Sequence, residues 1–288
     1  MSKPFNVTLI QPQGYIFSAA LKEAAEYLCA MLQQCGFDAQ LSTNELRPGA
    51  YNVILCAHLL GASDLPRIPR DSIVFNSEPL GKGDHWHFAS DTYSRILTRF
   101  HVWDYAERNL ARIDHARKDT IPFWYCRQLV RTRSPARRSR SLLFYGAPTP
   151  WRRALLSEIA AKGIEVKFMH GMYDAQRDAE MFATWAVLNL HKTDDNGVFE
   201  PIRCFYPLTN RVPVISEEVR GDATADEFRD SMFFFDRQTM ADRILALYDD
   251  DRGFAEQTAA QARNFESKSA QGYVRAAAQR FLQSVQAG

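Results

Sequence analysis

No apolar run in this chain approaches the roughly 20 residues that a membrane-spanning helix needs, so the sequence predicts no transmembrane segment. Net charge is nearly absent as well: +1 over 288 residues gives no global field to gather nucleic acid or anionic lipid. Met1-Ser2-Lys3-Pro4-Phe5 leads directly into a strand and lacks the apolar core of a signal peptide. The five cysteines (Cys29, Cys35, Cys56, Cys126, Cys204) are odd in number and form no C-x-x-C pair, which leaves them as small core residues in reduced surroundings. A cytoplasmic setting is the expectation. His85-Trp86-His87 has no third His, Cys or carboxylate at ligand spacing, so no metal is expected there. Repeats at solenoid periods are missing too.

What is present is ordinary globular material, 46% hydrophobic and 24% charged, in a chain long enough for two modest cores. Strand signals at 7–10, 37–41, 53–57, 73–75, 102–105 and 121–125 alternate with a helix that opens at Ser18 and runs through Leu21, Ala24, Leu28 and Leu32 to Gly36. Such alternation predicts a parallel sheet. The segment 128–140 breaks the pattern: Arg131, Arg133, Arg137, Arg138 and Arg140 crowd around Ser134-Pro135. Without interleaved aromatics it reads as a solvated linker rather than a nucleic-acid site. Beyond it come strands at 142–145, 164–169, 187–190, 212–216 and 231–235, a helix from Trp151 to Lys162, and a helical stretch over 239–286.

The stretch 187–218, VLNLHKTDDNGVFEPIRCFYPLTNRVPVISEE, carries the most chemistry. A short strand runs into a turn-rich loop and then Phe199-Glu200-Pro201, where proline suits the first turn of a helix. In a doubly wound sheet that helix start lies at the carboxyl edge, where ligands bind. Its unpaired N–H groups suit an anion such as a diphosphate. The Glu200 carboxylate suits the paired hydroxyls of a ribose, and Arg203, one turn on, brings a planar guanidinium to phosphate. The purely structural alternative has Glu200 complementing the helix dipole and Arg203 on a solvated face.

Other strand ends add candidates. Asn76-Ser77-Glu78-Pro79 closes a buried strand, so Glu78 is either a general base or, with Asn76, a cap for the loop. Asp104 is a second base candidate or a helix cap. Gly146 allows backbone to approach a ligand closely, and Arg152 follows at a helix start, where it suits diphosphate. Lys192 offers phosphate a mobile point charge beside His191. The loop after the first strand has a single glycine, Gly14, and lacks G-x-G-x-x-G.

Phe199-Glu200, Arg203 and Val212-Pro213-Val214-Ile215-Ser216-Glu217 stand in the order and spacing of the donor-binding element of GT-B glycosyltransferases, and the segment resembles that element. Asn76-x-Glu78, Trp103-Asp104-Tyr105 with Asn109, and Phe144-x-Gly146 followed by Arg152 are similar to the corresponding parts of small GT-B proteins. The resemblance implies two Rossmann-like α/β domains facing across a cleft. Residues 1–126 would be the acceptor domain, 127–140 an Arg-rich linker, 141–265 the nucleotide-sugar domain, and 266–288 a helix crossing back onto the first domain. It implies Glu200 on the ribose, Met172 or Tyr173 at the base, Gly146, Arg152, His191, Lys192, Phe199 and Arg203 around the donor, and Gly14 and Tyr15 facing the acceptor. It implies a metal-independent enzyme with no cofactor besides the nucleotide-sugar co-substrate, and Glu78 or Asp104 as base if the reaction inverts. Many retaining members carry a Glu eight residues before the ribose Glu; Lys192 stands there, so the stereochemistry stays open. The implied activity moves a sugar from a nucleotide sugar to a glycan, lipid-linked or other hydroxyl acceptor, in surface polysaccharide or glycoconjugate synthesis. Two alternatives stand beside it: a transferase using nucleoside monophosphate sugars, and a catalytically silent transferase-like subunit that binds a partner. No nucleic-acid partner is expected, and peripheral membrane association stays open.

Overall fold

The computed structural model describes residues 3–80, 91–131, 139–194 and 197–287. They form two compact units: Met1–Gln128 with Glu200–Ile202 and Ser269–Gly288, and Leu129–Phe199 with Arg203–Lys268.

In the first unit, β1 (Phe5–Leu9), β2 (Ala39–Thr43), β3 (Tyr51–Leu55), β4 (Ile73–Asn76), β5 (His101–Asp104) and β6 (Lys118–Thr120) pair in parallel in the order β2-β1-β3-β4-β5-β6. A parallel sheet covered on both faces buries its strands along their whole length, and β1, β4 and β5 are buried throughout. Helix α1 (Lys22–Gln34) lies on β1 and β2 and buries Ala24, Ala25, Leu28, Met31 and Leu32. Each large side chain among them contributes about 1.5–3 kcal/mol. The short helices α2 (Asp91–Arg99) and α3 (Glu107–Leu110) flank β5 in sequence.

Two expectations need correction here. Ser18 does not cap α1; it is buried inside a 3-10 turn, Ile16–Leu21, and Leu21 holds the cap position without a side-chain bond. Burial of its side chain overrides its preference for a helix start. Residues 121–125 are not a strand. The ladder ends where the Ile121 amide donates to the Asp104 carbonyl (2.7 Å), because the next amide on the β5 side, that of Ala106, turns to Asp104 Oδ1 (2.8 Å) instead. Tyr27 holds the segment instead: its hydroxyl donates to the Pro122 carbonyl (2.8 Å) and accepts from the Trp124 amide (3.1 Å).

In the second unit, β7 (Ser141–Tyr145), β8 (Glu165–Met169), β9 (Ala186–Asn189), β10 (Val214–Glu217) and β11 (Phe233–Phe235) pair in parallel in the order β11-β10-β9-β7-β8. Its described helices are α4 (Pro150–Ala161), α5 (Asp174–Ala183), α6 (Pro201–Thr209, whose first two residues count with the first unit), α7 (Ala223–Asp226), α8 (Met240–Asp249) and α9 (Asp251–Glu266). Leu142, Phe144, Leu155, Ile159, Leu188 and Ile215 form the core, extended by Trp185 stacked on Phe254 with ring centroids 4.0 Å apart. The strand expected from residue 231 starts at Phe233, because the Ser231 and Met232 amides turn back to the Phe228 carbonyl.

Both sheets place their second strand on one side of the first and their third on the other. The winding therefore reverses between β1 and β3 and again between β7 and β9. Loops leaving the carboxyl ends at such a reversal part and open a crevice. Helix α10 (Gln271–Ala287) packs back on the first unit, against α1 and β6. Phe281 meets the rings of Phe5, Tyr51 and His101, and Arg280 donates to Asp119 (2.5 Å), whose other oxygen lies 2.6 Å from the His101 imidazole.

Arg133, Ser134, Pro135, Arg137, Arg138 and the His85-Trp86-His87 triplet lie outside the described residues. At the edges of the arginine run, the Arg131 amide donates to Asn210 (2.6 Å), and Arg140 pairs with Asp251 while lying over the Tyr248 ring. Among the described residues no helix is long and apolar enough to cross a membrane, and no group of three or more His, Cys, Asp or Glu could hold a metal ion.

Candidate functional site

At the reversal point of the second sheet, β7 ends in Tyr145-Gly146. Gly146 has φ +153°, and a Cβ there would stand 2.9 Å from Arg203 Nη1 and 3.2 Å from Phe144 Cζ. Only glycine fits this combination of backbone and neighbours. Arg203 is drawn to the turn from both ends: its Nη1 donates to the Tyr145 carbonyl (3.4 Å), while its own carbonyl accepts from the Tyr145 hydroxyl (3.2 Å). The second bond has a cause in the sequence. Pro207 lies inside α6 and has no N–H, so it cannot donate to the Arg203 carbonyl four residues earlier. The Tyr145 hydroxyl supplies the donor.

Arg152 has a different place from the one expected at a phosphate. Thr149 caps α4 and Pro150 opens it, which sets Arg152 in the first turn with its side chain fully buried. Its Nε donates to the carbonyls of Leu190 (3.1 Å) and His191 (3.0 Å), its Nη2 to Leu190 (2.9 Å) and its Nη1 to Ala147 (3.1 Å). The guanidinium thus clips the loop after β7 to the loop after β9, across the point where the winding reverses.

Other contacts fix the same edge. Glu217, at the end of β10 and buried, accepts from the His191 amide (2.5 Å) and from Trp151 Nε1 (3.1 Å), and the Arg237 guanidinium lies over the Trp151 ring. Asp222 accepts from the Phe199 amide (2.9 Å) and caps α7 through the Thr224 amide (2.9 Å). That carboxylate fixes the entry into Glu200-Pro201. Phe199 itself is a core residue, its ring against Phe228 and Phe234. Glu200, Arg203, His191, Lys192 and Tyr173 are half-buried, and Met172 is exposed.

At the carboxyl edge of the first sheet, Asn76 and Asp104 are register partners on β4 and β5. Asn76 Nδ2 donates to Asp104 Oδ2 (2.6 Å) and to the Glu78 carbonyl (2.8 Å). Asp104 Oδ1 accepts from the Ala106 amide (2.8 Å) and from Asn109 Nδ2 (3.0 Å), while Asn109 Oδ1 accepts from the Leu80 amide (2.8 Å). Asp104 is fully buried and works as the hub that shapes the Glu78-Pro79-Leu80 loop. The Glu78 side chain keeps 22% of its surface exposed and lies 3.6 Å from His58 Nδ1. Tyr15 is exposed at 37%, beside Ile16 and Phe17, and burial together with the charge of Glu78 raises its pKa. Gly14, in the same loop, takes a positive φ with open space around it.

Burial pushes the Asp104 carboxyl up to about 7, against the pull of its donors Asn76, Ala106 and Asn109. The folded state therefore keeps this proton to a higher pH than the unfolded chain, where an aspartate titrates near 3.9. The associated stability is present below about pH 4 and is lost as pH rises toward 7. It amounts to about 1.4 kcal/mol per unit of pKa difference. Urea unfolding across that window should show the decline in wild type and a flatter profile in Asp104→Asn.

Glu217, Asp222, Tyr145 and His58 were not among the sequence candidates. Glu217 ends the V-P-V-I-S-E strand, and His58 follows an apolar strand just as Glu78 does; the rule that singled out Glu78 reaches His58 equally. Asp222 and Tyr145 act on backbone atoms distant in sequence, and no local signal marks them.

No family model matches the chain. An uncharacterised protein of Acanthamoeba polyphaga mimivirus is 23% identical over 169 residues, 57% of this chain and 53% of that protein. The chain thus spans about half the length of that relative. Among solved structures, Anabaena HepE in complex with UDP and glucose superposes with a TM-score of 0.56 at 16% identity, covering 98% of this chain and 100% of that one. WaaG, described as a glycosyltransferase involved in lipopolysaccharide biosynthesis, gives 0.54 at 12% identity over 96% of this chain and 99% of its own. Two parallel sheets of matching winding, with a last helix returning to the first unit, have the GT-B fold of these glycosyltransferases.

Proposed function

We propose that the protein transfers a sugar from a nucleoside diphosphate donor to an acceptor hydroxyl. The observation that carries this reading is the Tyr145-Gly146 turn with the Arg203 guanidinium laid against it, next to a nine-residue helix entered through Glu200. A glycine turn, a guanidinium and a helix amino terminus are three independent ways of meeting a diphosphate. HepE, which shares the fold, has been crystallised with UDP-glucose. In this reading Glu200 accepts from the ribose hydroxyls, and Arg203 and Lys192 stabilise the charge that builds on the departing diphosphate. Arg152 acts from behind by holding the two loops. Glu78, rather than the enclosed Asp104, takes the acceptor proton.

Thermal-shift measurements against uridine, guanosine and cytidine nucleotides and their sugars test the proposal. A ligand at about 100 times its Kd adds about 2.7 kcal/mol to the folded state, a rise of several degrees for a chain of this size. One nucleoside diphosphate series should raise Tm in wild type and fail to do so in Glu200→Ala, each shift being measured from that protein's own unliganded Tm. If no nucleotide stabilises the wild type, or if Glu200→Ala responds as wild type does, the reading is wrong.

A further inference from the structure

The reversal point of the first sheet carries a feature outside the donor site. Cys56, at the exit of β3, has φ +57°, a left-handed conformation costing a non-glycine residue about 1–2 kcal/mol. Such strain persists where the surroundings enforce it, commonly at functional positions. Its effect is to turn the chain abruptly into a short 3-10 turn, Ala57–Leu59. This sets the His58 imidazole 3.6 Å from Glu78 Oε1, with 7% of its side-chain surface exposed. The His58 ring meets Tyr93 edge-on, with centroids 5.9 Å apart. The Tyr93 hydroxyl donates to Asn76 Oδ1 (2.5 Å), and Asn76 in turn holds the Glu78 backbone. Histidine and glutamate are therefore fixed to one frame.

We propose that His58 is a positioning residue that keeps the Glu78 carboxylate ionised and aimed, so that Glu78 takes the proton of the acceptor hydroxyl. This rests on the glycosyl-transfer reading and assigns it a stereochemical class. As Glu78 removes the proton, the acceptor oxygen forms its bond to the anomeric carbon. The bond from that carbon to the diphosphate oxygen breaks, and its electron pair leaves with the nucleoside diphosphate. One displacement assisted by a base inverts the anomeric centre.

The charges around the pair explain why a histidine is useful. Glu78 is faced by Tyr15 from the turn after β1, Cys56 from the exit of β3, Tyr93 from α2 and Tyr105 from the end of β5. Asp104 on β5 lies behind Asn76. These groups are neutral or negative, and burial raises the pKa of each of the four that face Glu78. A positive charge beside a carboxylate favours its ionised form, and the His58 imidazole, with Nδ1 3.6 Å from Glu78 Oε1, is placed to carry one.

Two readouts on the full-length protein test the assignment. The carboxyl-carbon NMR resonance of Glu78 is titrated in wild type and in His58→Gln, where it should move about one pH unit higher. The pH profile of kcat/KM is measured as nucleotide release from UDP-glucose, or from whichever nucleotide sugar stabilises the protein best. Its acid limb should rise by the same amount in His58→Gln, with KM for the donor unchanged. If His58→Gln fails to fold, Glu78→Gln replaces it in the NMR arm, where the His58 imidazole should titrate about one unit lower. An unmoved titration overturns the pairing, and a moved titration with an unmoved acid limb overturns the catalytic role. A wild type that binds and turns over no nucleotide sugar, with Glu78 still coupled to His58, sinks the transfer reading and this proposal with it.

Discussion

Arg152→Met should cost about 2–5 kcal/mol of stability, the largest loss expected from any single change at the candidate donor site. Methionine is close to arginine in reach and volume, so the cavity contribution is small and the loss reports the polar contacts. Those contacts satisfy the carbonyls of Ala147, Leu190 and His191. Each carbonyl left buried without a donor costs about 1–3 kcal/mol. The opposing effect is relief from burying a charge. Guanidinium is weakly hydrated and delocalised, and here its cation also lies 5.3 Å from the centre of the Phe144 ring, so the relief is the smaller quantity. Urea unfolding of wild type, Arg152→Met and Arg152→Lys measures the balance. Lysine keeps the charge but has no planar fork to span the two loops, and it should recover less than half of the loss. Nucleotide-induced stabilisation should fall in both variants, since the loops after β7 and β9 are no longer tied. A methionine variant within about 0.5 kcal/mol of wild type would show that the clip is redundant.

This arginine also marks the boundary of what the sequence could tell. The plan of two parallel sheets was legible because continuous apolar strands alternating with helices have few ways to wind. The helix start at Pro201 was legible because proline and the preceding glutamate are local signals. Whether a first-turn arginine points toward a ligand or inward is decided by carbonyls some forty residues further along the chain, and local spacing carries no trace of them. Phe199 was drawn to the ligand by its neighbour Glu200, yet its ring fills a core built from residues thirty positions later. Asp104 shows the same limit: a buried hub and a catalytic base look identical as an aspartate at a strand end. The strand expected at 121–125 differs in kind: the Ala106 amide that would extend its ladder turns to Asp104 Oδ1, a contact that the apolar run itself does not signal.

Gly146→Ala should weaken nucleotide binding at least tenfold and lower stability by about 1–3 kcal/mol. Two effects combine in that expectation, and a second glycine separates them. Gly163 also has a positive φ, +83°, but a Cβ there meets nothing within 4 Å. Gly163→Ala therefore carries backbone strain alone and should lower Tm while leaving the nucleotide-induced shift intact. At Gly146 the methyl group would also stand 2.9 Å from Arg203 Nη1, closer than a Cβ can come, and 3.2 Å from Phe144 Cζ, close enough that the ring would have to give. The phenylalanine is packed in the core and has little room, so the guanidinium must retreat from the turn. Its bond to the Tyr145 carbonyl is lost with it, and a diphosphate bound there loses both the close backbone and the cation. Calorimetric titration of the two alanine variants with the nucleotide that stabilises wild type makes the comparison. Equal binding by both would mean that the turn is a structural bend and that the donor is held elsewhere.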